Sequence, residues 1–373
     1  MGVHSLTEQR EWDDLLGEII SFRAAMTAFT LGDGSSTLTL CEEALAHLSP
    51  QNLVGQTDVA YARSLAYHAL GDIVPAIQWA REATAHAQTL GSIPRIISHT
   101  CRTAYSLHLH GNLHEVVQIA QRAIIQGTTS AGLPHAQVCW AYIIHADVLR
   151  EWNRLDEALS LVLQGAQLSE QTETIVASYL AYSVLMRVYQ AQGKTDAASV
   201  AFQRSEATLA QNYSSYRRGM FVIAEWVQFW LANGEIERAI LWAEELVQQP
   251  REQSPLARER EDMARVRILL AQEKPTEALS LLESLRGGAE RQERWKHVIE
   301  MKVLQALAHY MRDEEQEALT ILEQAMQLAE PEGYMRIFID EGAPMARMLA
   351  RLREQEDWQV ATGYPDALLA AIR

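Results

Sequence analysis

Cysteine is scarce and scattered in this 373-residue chain: Cys41, Cys101 and Cys139 stand far apart, with no CxxC pair. That spacing excludes a zinc module and a disulfide framework. Each thiol sits in an apolar helical context, where a buried free cysteine is the ordinary outcome. Positive charge is the second shortage. Lys and Arg number 32 against 48 Asp and Glu, a formal charge of −16. A surface that acidic repels a phosphate backbone, so the chain is not expected to bind nucleic acid by itself. Residues 1–14 carry no apolar signal core and no stretch approaches a membrane span, so a reducing cytoplasm fits best. Catalytic signatures are missing too. There is no Gly-x-Ser-x-Gly elbow, no HExxH pair and no G-x-x-x-x-G-K-[ST] loop, and Gly32-Asp33-Gly34-Ser35-Ser36 reads as an inter-helix turn.

What is present is a period. A turn-like residue recurs at Gly32, Gly71, Gly111, Asn153, Gly193, Gly234, Glu273 and Asp313, at intervals of 39 to 42 residues. Five residues after the turn the position is usually alanine: Ala76, Ala158, Ala198, Ala239, Ala278 and Ala318, with Thr37 and Val116 in the other two. Nine after it the position is apolar throughout, and twelve after it small residues are common. Four before it Tyr67, Leu107, Leu149, Tyr189, Trp230 and Leu269 supply bulk. Glycine or asparagine tolerates the left-handed backbone that ends a helix. A small residue five on lets the next helix cross closely, and the bulky one fills the crossing. Segments between turns follow the helical period, for example Thr57–Leu70 then Val74–Leu90, and no alternating strand pattern occurs. A helix pair cannot bury its own apolar face, so the pairs must stack.

These offsets resemble the tetratricopeptide family, over roughly residues 10–330, with a period longer than the usual ~34 residues. The resemblance implies an all-α, right-handed superhelical solenoid of about eight helix pairs. At the end of the chain Pro331-Glu332-Gly333 stops the last paired helix. A short apolar bridge, an amphipathic helix from about Pro344 to Arg353 and a last helix from about Tyr364 to Ile372 follow. These are expected to cap the final repeat, so that residues 1–330 and 331–373 form one continuous domain. The stretch Ala329 to Met345, AEPEGYMRIFIDEGAPM, is similar to the segment that closes the sensor region of MalT-type, large LuxR-family transcriptional activators. What that resemblance implies is an effector-binding and protein-contact domain. A full-length member would add a nucleotide-binding module and a C-terminal helix-turn-helix. This chain is then either an excised sensor segment or a stand-alone relative.

Candidate chemistry is thin outside the groove. His108, His110 and His114 straddle a glycine turn and point to different faces, which does not suit a metal. The carboxylate pairs Glu42-Glu43, Glu244-Glu245 and Glu314-Glu315 fall on second helices, the solvated outer face of a solenoid. No cofactor, metal or catalytic centre is expected. In tetratricopeptide-like solenoids the concave surface is lined by first helices, at 13, 10, 6 and 3 residues before the turn. Repeats three to six then bring Tyr105, Trp140 and Phe221 together with Asp147, Arg150, Arg187, Gln190 and Gln228. The seventh repeat adds Arg260, Met263, Arg267 and Leu270. Flat aromatic faces with a few convergent polar groups suit a small polar ligand such as a sugar, whereas the arginines suit a carboxylate or phosphate. Asp147 could instead simply pair with Arg150 or, across helices, with Arg187. The expected partners are therefore a small-molecule effector or, as the alternative, a protein or peptide gripped along the groove, with self-association plausible for a long solenoid.

Overall fold

All eight turn positions are left-handed in the backbone, with φ between 58° and 101° from Gly32 through Asp313. Each closes a first helix, and the small position five residues on is buried in every repeat, Thr37 and Val116 included. In this computed structural model, residues 6–212, 223–247, 254–354 and 363–372 are described. They form nineteen α-helices and no strand. The first four pairs are α1 (Leu6–Leu31) with α2 (Gly34–His47), α3 (Leu53–Leu70) with α4 (Ile73–Thr89), α5 (Ile93–His110) with α6 (Leu113–Gln126), and α7 (Val138–Glu151) with α8 (Leu155–Gln171). The next four are α9 (Ile175–Ala191) with α10 (Thr195–Asn212), α11 (Ile223–Ala232) with α12 (Ile236–Val247), α13 (Pro255–Ala271) with α14 (Pro275–Arg291), and α15 (Trp295–Met311) with α16 (Glu315–Ala329). The closing segment holds α17 (Arg336–Ile339), α18 (Gly342–Arg353) and α19 (Gly363–Ile372). The chain is thus a helical-repeat solenoid of eight tetratricopeptide-like pairs. No helix among the described residues is long and apolar enough to cross a membrane.

The solenoid does not stay open. Its late repeats fold back onto repeats two to four, where the first helices end. Ser254 caps α13 by accepting from the Ala257 amide at 3.2 Å and donates its own hydroxyl to the Ala69 carbonyl at 2.7 Å. Arg294, 4% exposed, donates to the Gly71 carbonyl at 2.8 Å and to both carboxylate oxygens of Glu259. A Cβ on Gly71 would lie 2.8 Å from that guanidinium, so the residue is required both by its φ of 84° and by this approach. His110 meets Glu293 at 3.1 Å one repeat further on.

The closing segment completes this seam, which differs from the expected simple cap. Helix α18 does cover the last pair, burying Met345, Met348, Leu349 and Leu352. The bridge before it, however, crosses to the middle of the chain. The Met335 amide donates to the Glu151 carbonyl at 3.1 Å and the Ile337 amide to the Glu151 carboxylate at 2.7 Å. The indole of Trp152 donates to the Glu332 carbonyl at 2.8 Å. Tyr334 and Phe338, both fully buried, anchor the bridge.

Two outcomes follow for stability. Glu273 is exposed yet sits at φ 58°, a conformation that costs a side chain about 1 kcal/mol relative to glycine. Glu273→Gly should therefore raise the urea-unfolding stability by about 1 kcal/mol with the slope unchanged. Burial pushes the Glu259 carboxyl up, but hydrogen bonds and charge from His297 and Arg294 outweigh it and hold the pKa at about 2. Its contribution is present above the unfolded value of 4.5 and is lost as pH falls toward 2, roughly 3 kcal/mol in all. The stability difference between wild type and Glu259→Gln should accordingly be full at pH 6 and shrink steadily between pH 4.5 and 2; a difference independent of pH would refute it.

Candidate functional site

The inner surface is made by first helices because each turns one face to its neighbours and one to the axis of the solenoid. The seam described above divides that axis into two adjoining chambers, each partly open to solvent. The larger, about 570 Å³, is lined from α7 through α15 and by the closing segment. The smaller, about 140 Å³, lies toward α3, α5, α7 and α9 and has mostly apolar walls. Arg187, Glu225, Arg260 and Lys296 face both.

Seven of the eight residues read from the sequence lie on these walls. Tyr105, Trp140 and Asp147 face the smaller chamber, Arg150, Gln190 and Gln228 the larger, and Arg187 both. Phe221 lies outside the described residues. Tyr105 and Trp140 meet edge to face with ring centroids 6.0 Å apart, so one ring braces the other. Arg260, Met263, Arg267 and Leu270 of the seventh repeat also line the larger chamber.

Most of the polar residues hold one another. Asp147 is 8% exposed and accepts from Arg187 Nη1 at 2.7 Å; Arg150 Nε and His108 Nε2 stand 3.6 and 3.7 Å from it. The pairing of Asp147 with Arg187 and Arg150 is thus the geometry itself. Burial alone would raise the Asp147 carboxyl, but the charges of Arg187, Lys296 and Arg150 hold it well below the usual range. Burial and the nearby Lys296 ammonium keep His108 far below its ordinary value, so it is neutral at pH 7 and accepts from Lys296 Nζ at 3.4 Å. Arg150 continues outward to Glu151 and to Asp340, each at 3.0 Å. In the larger chamber Arg267 donates to Glu341 at 2.6 Å and to Glu300 at 3.0 Å. With its amide oxygen turned to Arg267, Gln228 accepts two bonds of 2.9 and 2.8 Å. Gln190 has no side-chain hydrogen bond among the described residues and presents its amide to the chamber.

Sequence reasoning missed Lys296, Glu300, Glu225, Arg102 and the wall formed by Arg336 to Glu341. Lys296 lies 17 residues before Asp313, one helical turn beyond the last offset used, and no offsets were read in the eighth repeat. Glu225 and Arg102 lie nine before their turns, beside the offset of ten. Extending the stripe at helical spacing finds these three. The closing-segment wall had no such signal, because it comes from the tertiary seam.

The carboxylate of Asp147 neutralises several buried cations at once. Asp147→Ala leaves them uncompensated, and should cost about 3–5 kcal/mol in chemical denaturation; a loss under about 1 kcal/mol would show that the cluster is hydrated rather than buried.

Comparison with known proteins comes next to this geometry. A family model described as the MalT-like TPR region matches residues 17–355. The HTH-type transcriptional regulator MalT of Vibrio campbellii (strain ATCC BAA-1116) is 25% identical over 210 residues, 56% of this chain and 23% of that protein. The protein of the same description from Serratia proteamaculans (strain 568) is 25% identical over 218 residues, with the same two shares. The chain therefore spans about a quarter of the length of these curated relatives. Among solved structures, a Rap protein complexed with competence and sporulation factor superposes with a TM-score of 0.64 at 12% identity, over 86% of this chain and 87% of its own. At that identity the likeness is one of fold.

Proposed function

The chain belongs to the family of MalT-like TPR regions, and on that premise we propose that it is the effector-sensing and protein-contact region of a cytoplasmic transcriptional regulator of the MalT/LuxR type. It takes a small polar ligand, such as a sugar, inside the superhelix. The observation that carries this is the larger chamber. At about 570 Å³ it falls in the range of small-molecule sites. Most of its charged groups are paired among themselves, Lys296 excepted, so it offers a wall of oriented donors and acceptors.

The position of the chamber supplies the mechanism. Its floor is the closing segment, through Arg336, Asp340 and Glu341, and in relatives of this family the matched region is part of a much longer protein. A ligand that bridges α9, α11 or α13 to that segment favours the closed arrangement by its difference in affinity for closed and open states. The alternative, a scaffold that holds a protein or peptide partner, is supported by the likeness in fold to a Rap protein complexed with competence and sporulation factor and by an exposed apolar edge. Helix α1 leaves Trp12, Ile19, Phe22 and Leu31 at least 57% exposed along the first edge of the solenoid.

A thermal-shift screen against sugars, oligosaccharides, amino acids and nucleotides tests the reading. Ligand at ~100 times its dissociation constant adds roughly 2.7 kcal/mol. Gln190→Ala, which breaks no internal bond, should reduce the affinity of the positive ligand about tenfold while leaving the apo protein's midpoint in place. A flat screen together with saturable capture of a defined peptide would replace the sensor by the scaffold.

A further inference from the structure

The smaller chamber carries the larger excess of cations over carboxylates. Its walls carry four cations, Arg102, Arg187, Arg260 and Lys296, against two carboxylates, Asp147 and Glu225. Arg187 is matched by Asp147 at 2.7 Å, and Arg260 stands 3.6 Å from Glu225. The other two cations have no carboxylate within 4.0 Å among the described residues. Lys296 finds only the neutral ring of His108, and Arg102 finds His68 Nδ1 at 2.6 Å and the Ser106 hydroxyl at 3.2 Å. Three further polar atoms of residues on this wall are buried and unpartnered: the donors Tyr105 hydroxyl and Arg102 Nε, and the acceptor Glu225 Oε2. A buried donor left without an acceptor, or a cation without a counter-charge, is destabilising by more than a normal hydrogen bond contributes. The wall thus carries two more cations than carboxylates, and Arg102 and Lys296 are the two with no carboxylate beside them.

The remaining wall is apolar: Trp140, Ile143, Leu180, Val184 and Leu256, with Phe29 reaching in from α1. A dry apolar cavity of roughly 150 Å³ accommodates benzene, and this chamber is about 140 Å³. We propose that the smaller chamber is an anion subsite for a small organic acid, a carboxylate carried on a benzene-sized aryl or branched aliphatic group, with the acid at Arg102, Tyr105 and Lys296 and the apolar group against Trp140 and Leu180. This deepens the sensor reading and rests on it, because it names the charge and size of the effector that the enclosed groove admits. The acid supplies the counter-charge that Arg102 and Lys296 lack, while its apolar group is removed from water. A neutral isostere gains only the second effect.

Benzoate, phenylacetate and 3-methylbutanoate, each paired with its neutral amide, are the probes, read by calorimetry and by thermal shift on the full chain. Each acid should bind at least about tenfold more tightly than its amide, the discrimination expected of charge-assisted hydrogen bonds. Lys296→Met and Arg102→Met should each abolish that preference. The affinity for the neutral amides should stay at the wild-type level in both variants, which separates a lost acid site from lost folding. Equal affinity for acid and amide, or an acid preference that survives in both variants, overturns the proposal. If oligosaccharides stabilise the protein and no acid does, the acid subsite is wrong while the sensor reading stands. If neither class binds and a peptide does, both fall together.

Discussion

The contact of Arg294 with Glu259 and with the Gly71 carbonyl is what turns a row of helix pairs into a container. Stacked repeats need only their neighbours, and nothing in nearest-neighbour packing stops such a row from remaining an open spiral. Here a guanidinium from the start of the eighth pair reaches a backbone oxygen in the second, across 223 residues of sequence. A buried arginine and glutamate are tolerable because each satisfies the other and the backbone carbonyl takes a further donor. The geometry is demanding. Gly71 must lack a side chain, Ser254 must cap α13 while donating to Ala69, and the bridge after α16 must dock on Glu151. Each of these lies within one turn of a helix end, where backbone groups are still free to be bonded.

That division explains how far the sequence could be read. Periodicity is a local property, so turns such as Asn153 and Asp313, and the buried alanines after them, were legible at once: each repeat imposes the same crossing on the same offsets. The offset rule reached the walls as well, because first helices face the axis in every repeat, and Tyr105, Arg187 and Gln228 came with it. Closure was not legible. His110 with Glu293, or Trp152 with Glu332, pairs residues 180 or more apart, and no spacing within one repeat encodes them. The groove therefore read as an open surface, whereas the structure makes it a partly closed one whose floor is the closing segment.

Enclosure changes what the same residues can do. On an open concave surface Arg187, Arg150 and Lys296 would be screened by water and salt, and their pairing with Asp147 would add little. Shut inside the solenoid they sit in a medium of lower dielectric, where matched charges fix a geometry and unmatched ones are costly. The protein uses both conditions. The larger chamber is lined mostly by charges that satisfy one another, so its demand on a ligand is chiefly for hydrogen bonds. The smaller chamber keeps cations with no carboxylate beside them.

The two chambers meet at a relay of contacts that runs Lys296, His108, Asp147, Arg150, Asp340. Each member stands within 4.0 Å of the next, and the last belongs to the closing segment. Neutral His108 matters to this chain of contacts. Were it protonated, it would compete with Arg187 and Arg150 for Asp147, but burial beside Lys296 keeps it uncharged, so Asp147 remains committed to the arginines. A negative charge entering near Lys296 would attract the same arginines and weaken their hold on Asp147, and Arg150 is the residue through which that change reaches Asp340. The coupling needs no motion of the repeats themselves, whose crossings are set by buried small residues that leave little room to shift. It needs only that the seam, held by side chains at helix ends, be the softer part of the molecule, and the seam is where the charges are.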